Sequence, residues 1–276
     1  MAIIPEVRGL EVQILVADNV AKEQPVPNNL ARIHRTKNPD TPLAVRCIHS
    51  ETGKPWSIRV TVSNDFKLSE GADLIALDII ADGIRFRSPV IESSKLSSHH
   101  DSVFNYSSRR NNINGTTQRE QPVFSDIHET EEEDAEIVNS DLRRLKNMGT
   151  IKVIVACHKL KKKWVADRSL RSESGSMHVA AKAMVLKGED QTHGTRFTAL
   201  GSILDSKKTK ISSQRLREVA EFHFCYSAPR HIEVDDAIPK IEPKIEPKTE
   251  SMQTLRTYPN EELVNGRPLI DLTHED

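Results

Sequence analysis

Two places in the sequence bring a cysteine close to a histidine, the pairing that a thiol nucleophile needs. Cys47 is followed by His49, and Cys157 is followed by His158. An imidazole beside a thiol can take its proton and leave a reactive thiolate. On a strand, however, residues i and i+2 share a face while residues i and i+1 do not. Closeness in sequence alone therefore favours buried core or edge positions over catalysis.

The sequence also lacks the motifs that usually carry enzymatic chemistry. GxxxxGK[ST], GxGxxG after a strand, HExxH and GxSxG are all absent. The run His99-His100-Asp101 suggests a metal site, but adjacent histidines point in different directions and lack partners at ligand spacing, which favours surface histidines. We therefore expect no catalytic residue, no metal and no cofactor, and a protein that is not an enzyme. An uncharacterised enzyme with a pocket in its folded domain stays an alternative.

The cysteines and the apolar runs indicate in which cellular compartment the protein is expected. Cys47, Cys157 and Cys225 are an odd number without CxxC spacing, which argues against a disulfide framework or a zinc ribbon. Reduced, buried thiols in an intracellular protein are the simplest interpretation. The start of the chain has no signal-peptide core, and no window reaches the roughly 18 apolar residues of a membrane span. We expect a nuclear or cytoplasmic protein without membrane contact, with the nucleus favoured.

Charge is nearly balanced overall, at −1, but it is divided along the chain. Residues 1–91 carry 11 basic and 11 acidic side chains, residues 92–147 carry 7 and 11, residues 148–230 carry 16 and 7, and residues 231–276 carry 5 and 11. The basic part contains a lysine run that includes Lys159, Lys161, Lys162 and Lys163. These lysines are candidate contacts to nucleic acid or a nuclear-import signal. A lysine-blunted strand edge that resists aggregation is the simpler alternative.

Alternating apolar and polar residues predict a series of strands. Residues 10–16 form the first clear one. Residues 43–49 and 56–62 flank a loop with Gly53 and are predicted to form a hairpin, and residues 72–80 and 84–91 are predicted to form another around Asp82-Gly83. Further strands are predicted at 150–157, at 177–186 paired with 194–200 (the first part of 177–186 being alternatively helical), and at 221–226.

Composition changes at Glu92. From there to Asn147 the chain is rich in Ser, His, Arg and Asn, and an acidic run covers residues 129–136. Such a stretch has too few large apolar side chains to offset its ordering entropy. We therefore predict a disordered insertion over 92–147, with a short helix at residues 135–145.

The remaining residues define the fold class. Without 92–147 and the tail 231–276, 174 residues remain, a normal length for one antiparallel β-sandwich of about eight strands. The predicted organisation is thus a mainly β domain over 1–230, with the insertion inside it, followed by a disordered acidic tail over 231–276.

Five segments of residues 1–230 stand out by their order and character. They are the start Ala2 to Val12, the Asp82-Gly83 hairpin, the strand Gly149 to Val153, the stretch Lys182 to Gly194 and the aromatic strand Phe222 to Ser227. Together they resemble a fungal family known only as a domain of unknown function. The resemblance rests on segment order and carries no diagnostic chemical motif. It implies a β-sandwich-like domain from a filamentous or mushroom-forming fungus, with no catalytic residues to transfer.

The tail repeats a Pro-Lys-X-Glu unit three times and so presents Lys240, Lys244 and Lys248. Proline keeps this stretch extended. Each lysine has a glutamate two residues later, a spacing that resembles the acceptor site for SUMO, a ubiquitin-like modifier. The preceding residue is proline where that site prefers a large aliphatic. A stiff, self-neutralising spacer is the alternative interpretation.

The last residues of the sequence resemble a SUMO-interacting motif. An extended peptide of this kind adds a strand to the modifier's sheet, aliphatic side chains fill a groove, and trailing acids meet a basic patch. An ordinary C-terminal strand that docks on its own domain is the alternative. The predicted modifier-binding residues are Leu269, Ile270, Asp271, Leu272, Thr273, Glu275 and Asp276.

Together these features predict a non-enzymatic adaptor or regulatory protein. Its expected partner is SUMO or a SUMO-modified protein. The chief alternative is a nucleic-acid-binding domain that uses the basic 148–230 surface.

Overall fold

The computed structural model describes residues 2–26, 36, 38–97, 99–113, 116–131, 133–166, 177–187, 192–202, 208–227, 263–264 and 267–268. These residues fall into two compact units, Met1–Ala237 and Ile238–Asp276.

The described part of the first unit contains seventeen strands and two α-helices. In chain order the strands are β1 (Ala2–Ile3), β2 (Leu10–Val16), β3 (Asn19–Val20), β4 (Glu23–Gln24), β5 (Leu43–His49), β6 (Trp56–Val62), β7 (Leu74–Ala81), β8 (Ile84–Arg87), β9 (Val90–Glu92), β10 (Ser102–Tyr106), β11 (Arg109–Ile113), β12 (Thr116–Asp126), β13 (His128–Thr130), β14 (Thr150–Ala166), β15 (His178–Ala180), β16 (His193–Ser202) and β17 (Lys208–Ser227). The helices are α1 (Ala135–Leu145) and α2 (Ala181–Lys187), and a 3₁₀ turn covers Ser93–Lys95. In the second unit, β18 (Leu263–Val264) pairs with β19 (Arg267–Pro268).

Two large sheets share one hydrophobic core. The five-stranded sheet has the order β1-β2-β6-β10 with β3 beside β2, and the seven-stranded sheet has the order β4-β5-β17-β14-β7-β8 with β9 beside β7. Val12 and Ile58 of the first sheet belong to the same buried cluster as Val153 and Phe222 of the second. Alternation along each strand thus places one apolar face of each sheet in a common interior. The predicted fold class, mainly β with a sandwich-like arrangement, is confirmed.

Smaller elements complete the first unit. A three-stranded sheet has the order β11-β12-β16, and β13 pairs with β15 in parallel. The helices α1 and α2 contribute Val138, Leu145 and Ala183 to a second, smaller core. Asp134 caps α1 by accepting hydrogen bonds from the backbone nitrogens of the next turn, which confirms the predicted helix. Neither helix in the described ranges is long and apolar enough to cross a membrane.

Several local predictions are confirmed. The strands β2, β5 and β6 have the predicted bounds. Asp82 and Gly83 join β7 to β8 with φ angles of 51° and 78°, the left-handed conformation that a tight hairpin turn requires. The strand predicted at 150–157 continues to Ala166, so the lysine run lies within β14 and not beyond its end.

The predicted hairpin between residues 43–49 and 56–62 is wrong. β5 pairs with β4 and β17, whereas β6 pairs with β2 and β10. The connecting loop crosses from one sheet to the other, and its backbone bonds to β12: the nitrogen of Gly53 donates to the oxygen of Phe124 over 2.8 Å. Alternation identified which faces are apolar, but it could not identify the partner strand.

The predicted disorder of residues 92–147 is also wrong for the part that the structure describes. This segment forms β10 to β13 and α1. β10 extends the five-stranded sheet beside β6, and β12 pairs with β11 and β16. Backbone hydrogen bonds and a buried ion pair supply the order that the low apolar content of the segment did not predict.

Two further predictions differ from the structure. Residues 177–186 do not pair with 194–200, because they form β15 and α2 while β16 pairs with β12. The stretch does contain a helix, but α2 occupies its second part, whereas the helical alternative placed the helix in the first part. The predicted strand at 221–226 is part of β17, which lies centrally between β14 and β5 and pairs with β5 in parallel. The seven-stranded sheet is therefore mixed, and the described strands exceed the eight expected.

Candidate functional site: a cationic groove

A groove of about 1350 Å³ lies among the ends of several strands in the first unit. Its walls come from the end of β8, the β8–β9 turn and β9, from Lys95 and the start of β11, and from the first half of β12, the end of β14 and the start of β17. The charged residues that line it are Arg87, Glu92, Lys95, Arg109, Arg110, Arg119 and Lys163. Six of these seven side chains are cationic.

Two arginines of this groove face each other across a strand pair. Arg110 on β11 and Arg119 on β12 are direct partners in the antiparallel register. Like charges directly opposite on neighbouring strands destabilise a sheet. A guanidinium nitrogen of Arg110, Nη1, is buried and has no hydrogen-bond partner among the described residues. The groove therefore contains an unsatisfied donor beside two like charges.

The neighbouring register pair explains how these arginines are held in place. Arg109 Nε donates to Glu120 Oε2 over 2.8 Å, and both side chains are buried. Asn111 donates to the other oxygen of Glu120 over 3.1 Å, and the Arg109 guanidinium lies 3.5 Å from the centre of the Phe197 ring. This buried ion pair fixes β11 against β12, and with it the adjacent Arg110 and Arg119 pair.

Arg87 is held from a third element. Its Nη1 donates to the backbone oxygen of Ser108 over 2.9 Å, and its guanidinium lies 5.4 Å from the centre of the Tyr106 ring. Arg119 Nε donates to the Ser108 hydroxyl over 2.9 Å. Both arginines therefore converge on the short turn between β10 and β11.

The electrostatics of Arg87 reflect this crowding. Burial lowers the pKa of Arg87 below its ordinary value; Tyr106 opposes the shift, and Arg110 and Arg119 lower the pKa further. Burial likewise raises the pKa of Tyr106 to about 12, with Arg87 acting in the opposite direction. In the described ranges Arg87, Lys95, Arg110 and Arg119 form no ion pair. An anion that entered the groove would relieve the mutual repulsion of these groups.

Of the predicted site residues that the structure describes, one lines this groove. Lys163 does so and bonds both carboxylate oxygens of Glu92 at 3.0 Å. Lys159, Lys161 and Lys162 are exposed along the outer half of β14. The predicted modifier-binding and conjugation residues lie outside the described residues: Lys240, Lys244, Lys248, Leu269, Ile270, Asp271, Leu272, Thr273, Glu275 and Asp276.

The sheet separates one of the two cysteine and histidine pairs, Cys157 and His158. Cys157 belongs to the shared core, whereas His158 lies on the opposite face and its Nδ1 is 2.9 Å from the hydroxyl of Ser213. Burial lowers the pKa of His158, with Arg215 adding to the shift and Asp78 opposing it. His49 bonds to Gln24. No group of three or more His, Cys, Asp or Glu side chains in the described ranges has metal-binding geometry.

A serine, histidine and aspartate do meet elsewhere. His193 Nδ1 is 2.6 Å from the hydroxyl of Ser50, and its Nε2 is 3.0 Å from Asp126 Oδ1. The same Nε2 is 2.9 Å from the hydroxyl of Thr52. Ser50 is 0% exposed, so its hydroxyl does not reach a substrate. This cluster joins the crossing loop to β12 and β16.

A buried carboxylate is a further polar centre that the sequence did not indicate. Asp82 accepts from the hydroxyl of Tyr226 at 2.7 and 2.6 Å, from the nitrogen of Thr195 at 2.5 Å and from the nitrogen of Thr150 at 3.2 Å. It thereby ties the β7–β8 turn to β14, β16 and β17. Burial raises the pKa of Asp82 to about 6 despite these hydrogen bonds.

The sequence did not predict the groove residues because they come from separate segments of the chain. Arg87 follows a hairpin, and Lys95, Arg110 and Arg119 lie in the segment predicted to be disordered. The available signal was the doublet Arg109-Arg110, followed ten residues later by Arg119-Glu120. On two antiparallel strands these two doublets align one ion pair, Arg109 with Glu120, and one like-charge pair, Arg110 with Arg119.

Fold and groove together define a mainly β domain with a concentrated cationic surface. The chain belongs to the family of the domain of unknown function DUF7918, whose model matches residues 9–240. No curated protein and no solved structure matches the chain significantly.

Proposed function

We propose that this chain is a non-enzymatic binding protein whose β domain holds the phosphate backbone of a nucleic acid in the cationic groove. The observation that carries the proposal is the Arg110 and Arg119 register pair. Two guanidinium groups directly opposite each other cost stability, and a bridging anion turns that cost into attraction.

The chemistry of the groove favours phosphate as the anion. Guanidinium groups form bidentate hydrogen bonds with phosphate and are more weakly hydrated than ammonium groups. Arginines outnumber lysines among the groove cations. Phe86 lines the groove but is only 3% exposed, so it offers little surface on which a base could stack. Contact with the backbone, without base recognition, is the mode that this arrangement supports.

Salt dependence of binding tests this proposal. A labelled single-stranded oligonucleotide of about 20 nucleotides exceeds common site sizes, and its anisotropy would be measured over a range of salt concentrations. If the four unpaired cations contact phosphates, log K falls with log salt with a slope of about −3. The double variant Arg110→Ala/Arg119→Ala should lower the magnitude of that slope by about 1.4. Lys67→Ala, an exposed cation away from the groove, should leave it unchanged.

Charge reversal provides a second readout. Arg119→Glu converts the like-charge register pair into an ion pair, so the free energy of unfolding should rise by roughly 0.2–1 kcal/mol while binding is lost. A variant that merely damaged the fold would lose stability as well as binding. Absence of binding at low salt, or equal binding by wild type and Arg119→Glu, would refute the role of the groove. Retention on heparin without binding to nucleic acid would refute nucleic acid as the partner.

The lysine run supports an extension of the same surface. Lys163 lines the groove, and Lys159, Lys161 and Lys162 continue along β14 from it. We assign these three to further non-specific contacts along the same strand of nucleic acid, which would steepen the slope from about −3 to about −5. Their combined replacement by alanine should weaken binding less at high salt than at low salt.

A second proposal concerns the tail and rests on its sequence. The aliphatic run Leu269, Ile270 and Leu272 with the acids after it supports binding to a SUMO-type modifier by strand addition. The three Pro-Lys-X-Glu units support conjugation at Lys240, Lys244 and Lys248. Such a protein would act as a nuclear adaptor that brings modified partners to nucleic acid. The proposal includes an origin in a filamentous or mushroom-forming fungus, which the resemblance of the segments supports.

Titration of labelled SUMO into the full chain tests the tail. Leu269→Ala/Ile270→Ala/Leu272→Ala should abolish the shift. Leu263→Ala/Val264→Ala, a matched aliphatic pair in the same unit, should preserve it. Equal binding by all three proteins, or none by the wild type, would overturn the assignment. Reconstituted conjugation of the variant with arginine at Lys240, Lys244 and Lys248 tests the acceptor role separately.

A further inference from the structure

Two of the three cysteines lie side by side on neighbouring strands. Cys47 on β5 and Cys225 on β17 are direct partners in the parallel register. Paired residues on neighbouring strands point to the same face and have Cα atoms about 5 Å apart. A disulfide requires a Cα separation of roughly 4.4–6.8 Å. The backbone spacing of this pair therefore meets the main geometric requirement for a cross-link.

The two thiols are in contact and lie outside the shared core. On β17, Phe222, Phe224 and Tyr226 face the core, so Cys225 points to the opposite side. Its side chain is hydrogen-bonded to the thiol of Cys47, and this bond lowers the pKa of Cys47 while burial acts against it. Thiolate is the form that attacks a disulfide. Neither sulfur takes part in a disulfide in the structure, where all three cysteines are free thiols.

A very short strand lies beside the pair at the edge of the sheet. Beyond β5, the described part of the sheet continues only with β4, whose Gln24 is the register partner of Cys47. Cys47 is 3% and Cys225 9% exposed. A two-residue strand at a sheet edge belongs to the least stable part of a fold, so its local opening frees the edge of β5 that carries Cys47 without global unfolding.

We propose that Cys47 and Cys225 are a redox-sensitive pair that forms an intramolecular disulfide when the protein meets a disulfide oxidant such as glutathione disulfide. The Cys47 thiolate attacks one sulfur of the oxidant and releases one glutathione thiolate. The Cys225 thiolate then attacks the Cys47 sulfur of the mixed disulfide and releases the second glutathione. The protein loses two protons and two electrons, and the oxidant becomes two molecules of glutathione.

The cross-link joins distant parts of the chain. It closes a loop from Cys47 to Cys225 that contains most of the first unit, and long closed loops restrict the unfolded chain most strongly. The oxidised protein should therefore melt at a higher temperature than the reduced protein, and dithiothreitol should reverse the shift. Because β5 and β17 are already paired, the cross-link preserves the sheet.

The test uses the folded full chain incubated with glutathione disulfide, then alkylated and analysed by intact mass and peptide mapping. We expect loss of two hydrogens and a cross-linked peptide pair that contains Cys47 and Cys225. Cys157→Ala is the matched control, because Cys157 lies in the shared core, and it should cross-link like the wild type. Cys47→Ala should yield at most a glutathione adduct on Cys225.

Circular dichroism of each variant confirms that it is folded before oxidation. Formation of the cross-link only after denaturant is added would overturn the proposal, as would a cross-link that includes Cys157. A folded wild type that stays fully reduced at high oxidant would overturn it as well. An unchanged melting temperature after quantitative cross-linking would refute the proposed stabilisation.

Discussion

Replacing Asp82 with asparagine should change how the stability of the domain depends on pH. Burial raises the pKa of this carboxyl from 3.8 to about 6, so between those values the folded protein holds a proton that the unfolded chain has released. Since stability falls with pH wherever the folded state binds more protons, the free energy of unfolding should decline from about pH 4 to pH 6. Above pH 6 the carboxylate is ionised in both states and the decline ends.

The size of this effect follows from the shift. A displacement of about two pKa units corresponds to about 3 kcal/mol of differential stability. The asparagine in Asp82→Asn cannot titrate, so the difference in unfolding free energy between wild type and variant should fall by roughly 2–3 kcal/mol between pH 4 and pH 7. Other shifted groups, such as Glu11 and Glu218, whose pKa values burial raises, are present in both proteins and cancel.

Urea unfolding followed by tryptophan fluorescence measures this difference, because Trp56 is 2% exposed in the shared core. Tyr226→Phe is the matched control. The hydroxyl of Tyr226 donates to both oxygens of Asp82, and this hydrogen bond lowers the pKa of the carboxyl. Its removal should extend the decline to higher pH. A wild-type minus Asp82→Asn difference that stays flat from pH 4 to pH 7, or that rises, would show that Asp82 does not titrate as inferred.

Three other substitutions test the packing around the site. Glu120→Gln leaves its buried arginine partner without a counter-charge and should cost about 3–5 kcal/mol in urea unfolding; a loss below about 1 kcal/mol would contradict full burial of the pair. Gly9→Ala places a Cβ against the backbone nitrogen of Phe66 at a φ of 76°, whereas Gly53→Ala has a similar φ of 79° but open space around the new Cβ. The first variant should therefore lose clearly more stability than the second in thermal melting. Equal losses would contradict the close contact at Gly9. Asp134→Ala removes the cap of α1 and should cost about 1 kcal/mol in the same assay; no change would contradict the capping geometry.

Local patterns predicted the strands well, because the two-residue period reports directly which side chains are buried. The bounds of β5 and β6 and the Asp82-Gly83 turn follow from alternation and turn chemistry. The pairing of β5 with β17 does not, since its partner lies far along the chain. Pairing between strands so far apart in sequence depends on tertiary packing, which a short stretch of sequence does not reveal.

The segment 92–147 shows where composition misleads. Counting apolar side chains treats a strand as if only hydrophobic burial could order it. β12 instead gains order by pairing on both sides, with β11 and β16, and buries Glu120 by bonding it to Arg109 and Asn111. The groove was missed for the same reason, because most of its cations lie in this segment.

The arrangement of β11 and β12 links stability to binding. A buried ion pair rarely adds stability over apolar residues of the same size, and a like-charge register pair subtracts from it. Both occur in consecutive positions here, Arg109 with Glu120 and Arg110 with Arg119. The first pair is specific in geometry, so it holds the register that keeps the second pair together against its own repulsion. A sheet selected for stability alone would replace both. Under the proposed function, a phosphate bound between Arg110 and Arg119 would supply the attraction that this register pair lacks.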